Sequence, residues 1–432
     1  MRRAFKIALA LAIILATSIY LTIPERGDSL GHSLDVSLQQ KKIEALPEEK
    51  FLVYLPQDTF YHQKIGLENG ILLAYYLNRT LIVPPVYLGN SIEWAPFDSL
   101  YSQVTSKSKQ LKKYCSDIVL SKLPSECLSY TSWTKLPWSY FFDFSKITDY
   151  VRIYEEQDIS IENLGRYGIS VDDISVLEED MKYHYKFSDA SIPTDALKGH
   201  FKSLFHVSKF QDQKLLYIHS LNGRGRVQAS HPNNSMVFQE MLKSYVWKNQ
   251  AILDVANTII DMLGGVGNYI GVEIPTLGLE FSDRTPENVR EILATLAEKT
   301  PECQNSTRSS IHKCLPRTPE DICGSPIIYL STDSINPRSH TDLTPLFQQY
   351  PCTFTLQDFH KAFSSLSNQV NNDDQVNLAP FLASMTETEI VSRGSFVANI
   401  RNSMQGSYAA LLHDIYFHQR SKIYTKMDFS NP

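Results

Sequence analysis

LVYLPQDTFYHQKIGLENGILLAYYLNRTLIVPPVYLG (52–89) decides how this chain is read. With Phe51, its first residues give FLVYL (51–55), apolar throughout, as suits a strand buried on both faces of a parallel sheet. A polar loop, Pro56–Gln63, follows. The spacing of Ile65, Leu72, Leu73, Tyr76 and Leu77 then predicts a helix with one apolar face. TLIVP (80–84) closes a strand–loop–helix–strand unit. Such units open doubly wound domains, which bind ligands where loops leave the carboxyl ends of the strands.

The same alternation recurs downstream. A strand is expected at LLYIHS (215–220), after an irregular aromatic stretch holding Trp133, Trp138, Tyr140, Phe141 and Phe142. The helix NQAILDVANTIIDML (249–263) carries Ile252, Val255, Ile259 and Leu263 on one face, and Gly264-Gly265 ends it. A second series reads NYIGVEI (268–274), PIIYLSTD (326–333), the helix LAPFLASMTETEIVSR (378–393), SFVANI (395–400) and a last helix after Asn402. Residues 282–325 read as an excursion with one helix. Two successive blocks of alternating strands and helices predict an α/β protein with two Rossmann-like domains, 48–250 and 251–432, facing a cleft.

The 432 residues suffice for two such domains, and 43% hydrophobic with 20% charged residues is a globular composition. A net charge of −6 excludes nucleic acid as an expected partner. The N-terminus stands apart. MRRAFK (1–6) is basic, and Ile7–Pro24 runs 18 residues without a charge. That is near the ~20 residues that span a bilayer and beyond the ~7–15-residue core of a cleaved signal. The reading is a cytosolic tail (1–6), a signal-anchor helix (7–24) and a polar stem (25–47), with the body in the lumen of the Golgi or endoplasmic reticulum. A cleaved signal with its site near Ala16–Ser18 is the alternative. Six cysteines, Cys115, Cys127, Cys303, Cys314, Cys323 and Cys352, are disulfide candidates in that compartment. No CxxC occurs. Asn78, Asn233 and Asn305 head glycosylation sequons.

LENGILLAYYLNRTLIVPP (67–85) resembles the opening of the GDP-fucose protein O-fucosyltransferase family. The resemblance implies a GT-B-like glycosyltransferase in which GDP-fucose is the donor substrate and no cofactor is needed. The family's loop before this helix carries glycines and an Asn-Gln pair that contacts the nucleotide. Here Phe60, Tyr61, His62 and Gln63 occupy the equivalent stretch, with His62 in place of the Asn and no glycine. Asp58 falls near the place where one branch has a Glu as base; the plainer reading is that it caps the helix. SLNGRGR (220–226) resembles the family's "GSL(F)G…R", with Ser220, Leu221, Gly223 and Arg226 in matching places. Arg224 and Arg226 can serve an anion or simply decorate a turn.

The next motif is broken. Where the family reads "YIGVH-x-R", this chain reads Tyr269-Ile270-Gly271-Val272-Glu273-Ile274-Pro275. Glu273 replaces the His and Pro275 the diphosphate-neutralising Arg. A carboxylate beside a diphosphate is repulsive in a low-dielectric cleft. Either Arg224, Arg226 or Arg284 takes over the charge, or the site no longer transfers. IIYLSTD (327–333) resembles "vYvATDe", which places Thr332 and Asp333 on the donor's base and ribose. Asn399 and Ser403 match the "FiGn..SSFS" region, whose hydroxyls and N–H groups hold phosphate; a helix cap is the plainer reading.

No Asp-x-Asp follows an apolar strand, so a metal-independent reaction is expected. The resemblance implies inverting transfer of fucose from GDP-fucose to a Ser/Thr or glycan hydroxyl, with Asp58 or Glu273 as base and Arg226 or Arg224 on the diphosphate. Phe60, Tyr61, His62, Gln63, Gly223, Arg224, Thr332, Asp333, Asn399 and Ser403 would bind the donor. The competing reading is an inactive relative that binds glycan or protein in the lumen. Transfer of another nucleotide sugar is the third.

Overall fold

The computed structural model describes residues 48–105, 133–190, 201, 203–210, 212–278, 281–300, 326–371 and 376–417. The expected tail, anchor and stem (1–47), Cys115, Cys127, Cys303, Cys314, Cys323 and Asn305 lie outside them. Among the described residues no helix is long and apolar enough to cross a membrane. The described residues all fall within one compact unit, Ala45–Pro432.

Five parallel strands form the first sheet: β1 (Phe51–Tyr54), β2 (Thr80–Val83), β3 (Ile153–Glu155), β4 (Ile174–Leu177) and β5 (Leu215–Ile218), in the order β3-β2-β1-β5-β4. Their neighbours diverge at β1 and β5, so the crevice of a doubly wound sheet opens beyond those two carboxyl ends. Helix α1 (Phe60–Leu77) joins β1 to β2. The sequence implies one apolar face for it, but residues around most of its circumference are buried. It lies between two layers rather than on one, which erases the amphipathic signal. Gly66 and Gly70 permit this, because a Cβ at either would stand 2.8–2.9 Å from Asn222 or Tyr54.

The second sheet holds four parallel strands: β6 (Ile270–Glu273), β7 (Ile328–Ser331), β8 (Thr353–Phe354) and β9 (Val397–Asn399), ordered β8-β7-β6-β9. Its switch point lies between β6 and β9. The helices are α2 (Gln250–Met262), α3 (Thr285–Lys299), α4 (Ala379–Ser392) and α5 (Met404–Phe417). The α4 backbone lies directly on β6: a Cβ on Gly271 would sit 2.1 Å from the Val391 carbonyl.

One core unites α1, α2, α4 and α5 with the facing sides of both sheets, while separate clusters cover their outer sides. Along β1, Phe51 and Val53 enter an outer cluster and Leu52 and Tyr54 the central core, so no polar alternation is possible. The aromatic stretch supplies a joint. Trp138 and Phe142 pack with Phe60 and Trp247, and Trp247 meets Tyr408 of α5 edge-on at 5.4 Å. Asn78, the left-handed cap of α1, is exposed, as is Asn233. Cys352 is disulfide-bonded.

Candidate functional site

The loop after β1 is built from side-chain amides. Gln57 Nε2 donates to the His219 carbonyl, Asn222 Nδ2 donates to the Gln57 carbonyl (2.7 Å), and Asn69 Nδ2 donates to Leu221 and Gly223 carbonyls. These bonds stitch the carboxyl ends of β1 and β5 together. Gln63 is 1% exposed and wholly engaged, donating to the carbonyls of Asp58 and Tyr87 and accepting the Tyr87 amide. Asp58 takes φ 68°, a left-handed conformation that aspartate tolerates better than most residues. Its carboxylate accepts from the Thr59 amide, Ser91 and Lys182, with His62 3.5 Å away. Burial works to raise its pKa, but His62, Lys182 and the Thr59 amide prevail and hold it below the usual value. Such a group is a weak base, since general-base catalysis favours a pKa near the working pH.

In the turn after β5, Gly223 (φ 106°) has no room for a Cβ beside the Tyr183 ring. Arg224 Nη2 donates to the Ser403 carbonyl at 3.1 Å. Arg226 is fully buried. Its Nη1 meets Glu179 at 2.8 Å and the Ser220 carbonyl at 2.5 Å, and the rings of Tyr183, Tyr185 and Phe201 surround the guanidinium. It is an interior ion pair rather than a cation at a cleft.

At the second sheet, Glu273 ends β6 and is 3% exposed. Ser403, just before α5, donates its hydroxyl to Glu273 Oε1 at 2.7 Å and accepts the Gly406 amide. A Cβ on Gly406 would stand 2.5 Å from Glu273 Oε2 and 2.7 Å from Asn399 Cβ. The carboxyl therefore stands against the first turn of α5, with its Oε2 lacking a hydrogen-bond partner among the described residues. Burial pushes its pKa up to about 8, the Ser403 hydroxyl opposing and the Asp333 carboxylate adding to the rise. Glu387, inside α4, is likewise driven to about 8 by burial, and Asp333 and Glu273 act on it as well.

Asp333 accepts from the amides of Thr276 and Leu277 and from the Thr276 hydroxyl, fastening the loop after β6. Thr332 Oγ1 accepts the Ser334 amide. Tyr61 reaches from α1 to α4, donating to the Ser384 carbonyl and meeting Thr388 at 2.5 Å. Gln405 bonds Ser331 and the Ser384 carbonyl.

The structure thus gathers Tyr61, Arg224, Glu273, Asn399 and Ser403 around the start of α5. Asp333 stands next to them. Asp58, His62 and Gln63 form another contact set, Phe60 lies in the aromatic core, and Arg226 is sealed behind Glu179. Sequence reasoning missed Glu387 and the buried pair Lys64–Glu68. The signal for Glu387 was the pair Glu387 and Glu389 inside the helix expected at 378–393.

No family model matches the sequence, and no curated protein matches it. Solved structures align with it at low identity. POFUT1 in complex with GDP-fucose is 10% identical, with 85% of this chain and 95% of that one covered and a TM-score of 0.38. POFUT1 in complex with GDP covers 87% and 98% at 10% identity and a TM-score of 0.42. The fucosyltransferase NodZ from Bradyrhizobium is 12% identical over 84% and 93%, with a TM-score of 0.39. At such identities and scores the likeness does not reach the side chains, and roles rest on the geometry above.

Proposed function

We propose that this chain is a fucosyltransferase-like protein of the secretory pathway that binds glycan or protein in the lumen and does not transfer sugar. Residues 7–24 anchor it in this reading. One observation carries it: the Glu273 carboxyl stands against the first turn of α5, on Ser403, where the sequence resemblance puts the donor's diphosphate. A diphosphate entering there meets the buried Glu273 carboxyl where the resemblance puts a supporting His, and the neutralising Arg expected two residues on is Pro275. Arg226 is committed to Glu179 and Asp58 is a depressed acid.

Calorimetric titration of the full-length protein in detergent and EDTA, with GDP and with GDP-fucose, tests this. No heat from either nucleotide is expected. Micromolar binding, with fucose passed to a glycoprotein acceptor and GDP released, overturns the reading.

A second reading is favoured by Arg224, which the Ser403 carbonyl holds beside the start of α5. There Arg224 would offset the diphosphate charge, and fucose would pass from GDP-fucose to a Ser/Thr or glycan hydroxyl with inversion and without metal. On that reading Arg224→Ala and Asp333→Ala abolish turnover with the fold intact.

A further inference from the structure

A cavity of about 500 Å³ lies between α1, the turn after β5, the helix Pro232–Leu242 and α5. Its size is that of small-molecule sites. Tyr61 and Arg224 are shared with the residues gathered at the α5 start. Glu273, Thr332, Asp333, Asn399 and Ser403 are not in its wall. It shares those two side chains with the residues expected to hold a nucleotide and otherwise lies beside them.

Three rings line it, Tyr61, Phe238 and Tyr408. Lys64, 3% exposed, pairs with Glu68 and holds its ammonium over the Tyr408 and Tyr245 rings at 4.0 and 4.6 Å. That buried charge is matched within the wall, and the wall's other cation, Arg224, donates to the Ser403 carbonyl, so neither calls for a charged ligand. Yet Gln228 and Gln239 also line the space, with the hydroxyls of Ser235 and Ser407, and Gln228 Oε1 has no partner among the described residues. The Ser407 hydroxyl already donates to the Ser403 carbonyl, but a wholly apolar occupant would leave Gln228 Oε1 dry, at the usual cost of an unmade hydrogen bond. The occupant that fits both demands is neutral, carries donors and acceptors together, and presents apolar C–H faces to rings.

We propose that this cavity binds a neutral carbohydrate of one or two pyranose rings. The proposal rests on the reading of the chain as a luminal binding protein and names its ligand class. The test is saturation-transfer NMR on the full-length protein in detergent, with methyl pyranosides of glucose, mannose, galactose, fucose and N-acetylglucosamine as probes. At least one sugar is expected to receive saturation. Gln239→Leu, which removes the amide at nearly constant volume, should weaken binding roughly tenfold. Ser235→Trp, at a half-buried position, should fill the cavity and abolish it, whereas Asn233→Gln, the control for the sequon that Ser235 completes, should leave it intact, with an unchanged melting temperature in all three variants.

Silence from every sugar overturns the proposal, as does a signal untouched by Gln239→Leu and Ser235→Trp alike. Displacement of the sugar by GDP also overturns it, because the sugar would then occupy the nucleotide chamber. Binding of unstructured peptide without any sugar overturns it in favour of a protein ligand. Fucose transfer by the same preparation would sink the non-transfer reading alone, leaving a sugar signal blocked by Ser235→Trp as support for the cavity.

Discussion

The two sheets are built alike and finished differently. Each is all-parallel, and each has a switch point in its strand order. At the first sheet the edge is closed by neutral amides, Gln57, Gln63, Asn69 and Asn222, and its charged groups are paired: Asp58 with Lys182 and Arg226 with Glu179. At the second the edge is acidic, with both glutamates buried and raised first by burial and then by the Asp333 carboxylate. A parallel sheet guarantees a crevice at its switch point but does not fix the charge there.

The largest expected effect comes from breaking the first edge. Arg226→Met removes the partner of a fully buried carboxylate, so chemical denaturation should show a loss of about 3–5 kcal/mol. Were Arg226 a phosphate ligand at an open cleft, its truncation would leave stability nearly unchanged and lower nucleotide affinity instead. Glu179→Gln with Arg226→Met should recover much of the loss, since no bare charge is then left inside.

Next is the pH response of the second edge. Glu273 and Glu387 shift from an ordinary value of 4.5 to about 8 on folding, because burial penalises their charged form. Between those values the folded chain keeps protons that the unfolded chain has released, so stability falls as pH rises from about 4.5 to about 8. Denaturation midpoints at pH 5.5 and 8.5 should differ in that direction. The double variant Glu273→Gln/Glu387→Gln should flatten the difference. A wild-type midpoint that rises over this range contradicts the buried acidic edge.

A smaller effect is expected from Asp333→Ala. It frees two amides and a hydroxyl in the loop after β6, at about 1–2 kcal/mol by denaturation. It should leave nucleotide binding unchanged on the non-transfer reading. Loss of measurable GDP affinity on this substitution would instead favour transfer.

Strands and helices were legible where periodicity or uniform apolarity spoke. FLVYL, TLIVP and LLYIHS became β1, β2 and β5 within two residues, and Ile252, Val255, Ile259 and Leu263 are all buried on α2. Strands β3, β4 and β8 escaped notice because they are short and their neighbours mix polar with apolar residues. The site was harder to read for a different reason. Arg226 has the same local sequence whether it faces a phosphate or Glu179, 47 positions away, and only the fold decides between them. Glu273 was visible as a substitution, but its contact with Ser403 joins residues 130 apart. The left-handed turn at Asp58 was hidden because glycine, its usual marker, is missing.

Asp58 gives the finest test of the comparison, because its pH response has the opposite sign. Its pKa is lowered on folding, so the stability it adds is present above its ordinary value near 3.8 and lost as pH falls through the folded value. Asp58→Asn keeps a residue type that accepts φ 68° and can still receive the Thr59 amide, but it loses the attraction of Lys182 and His62. At neutral pH it should cost under about 1 kcal/mol, since Lys182 is well exposed and screened. As pH falls from that ordinary value through the lower folded one, the variant and the parent should converge. Asp58→Ala should cost more than Asp58→Asn at every pH, because alanine both loses the bonds and resists the left-handed backbone. Equal costs for the two variants would mean that charge, not backbone conformation, holds this loop.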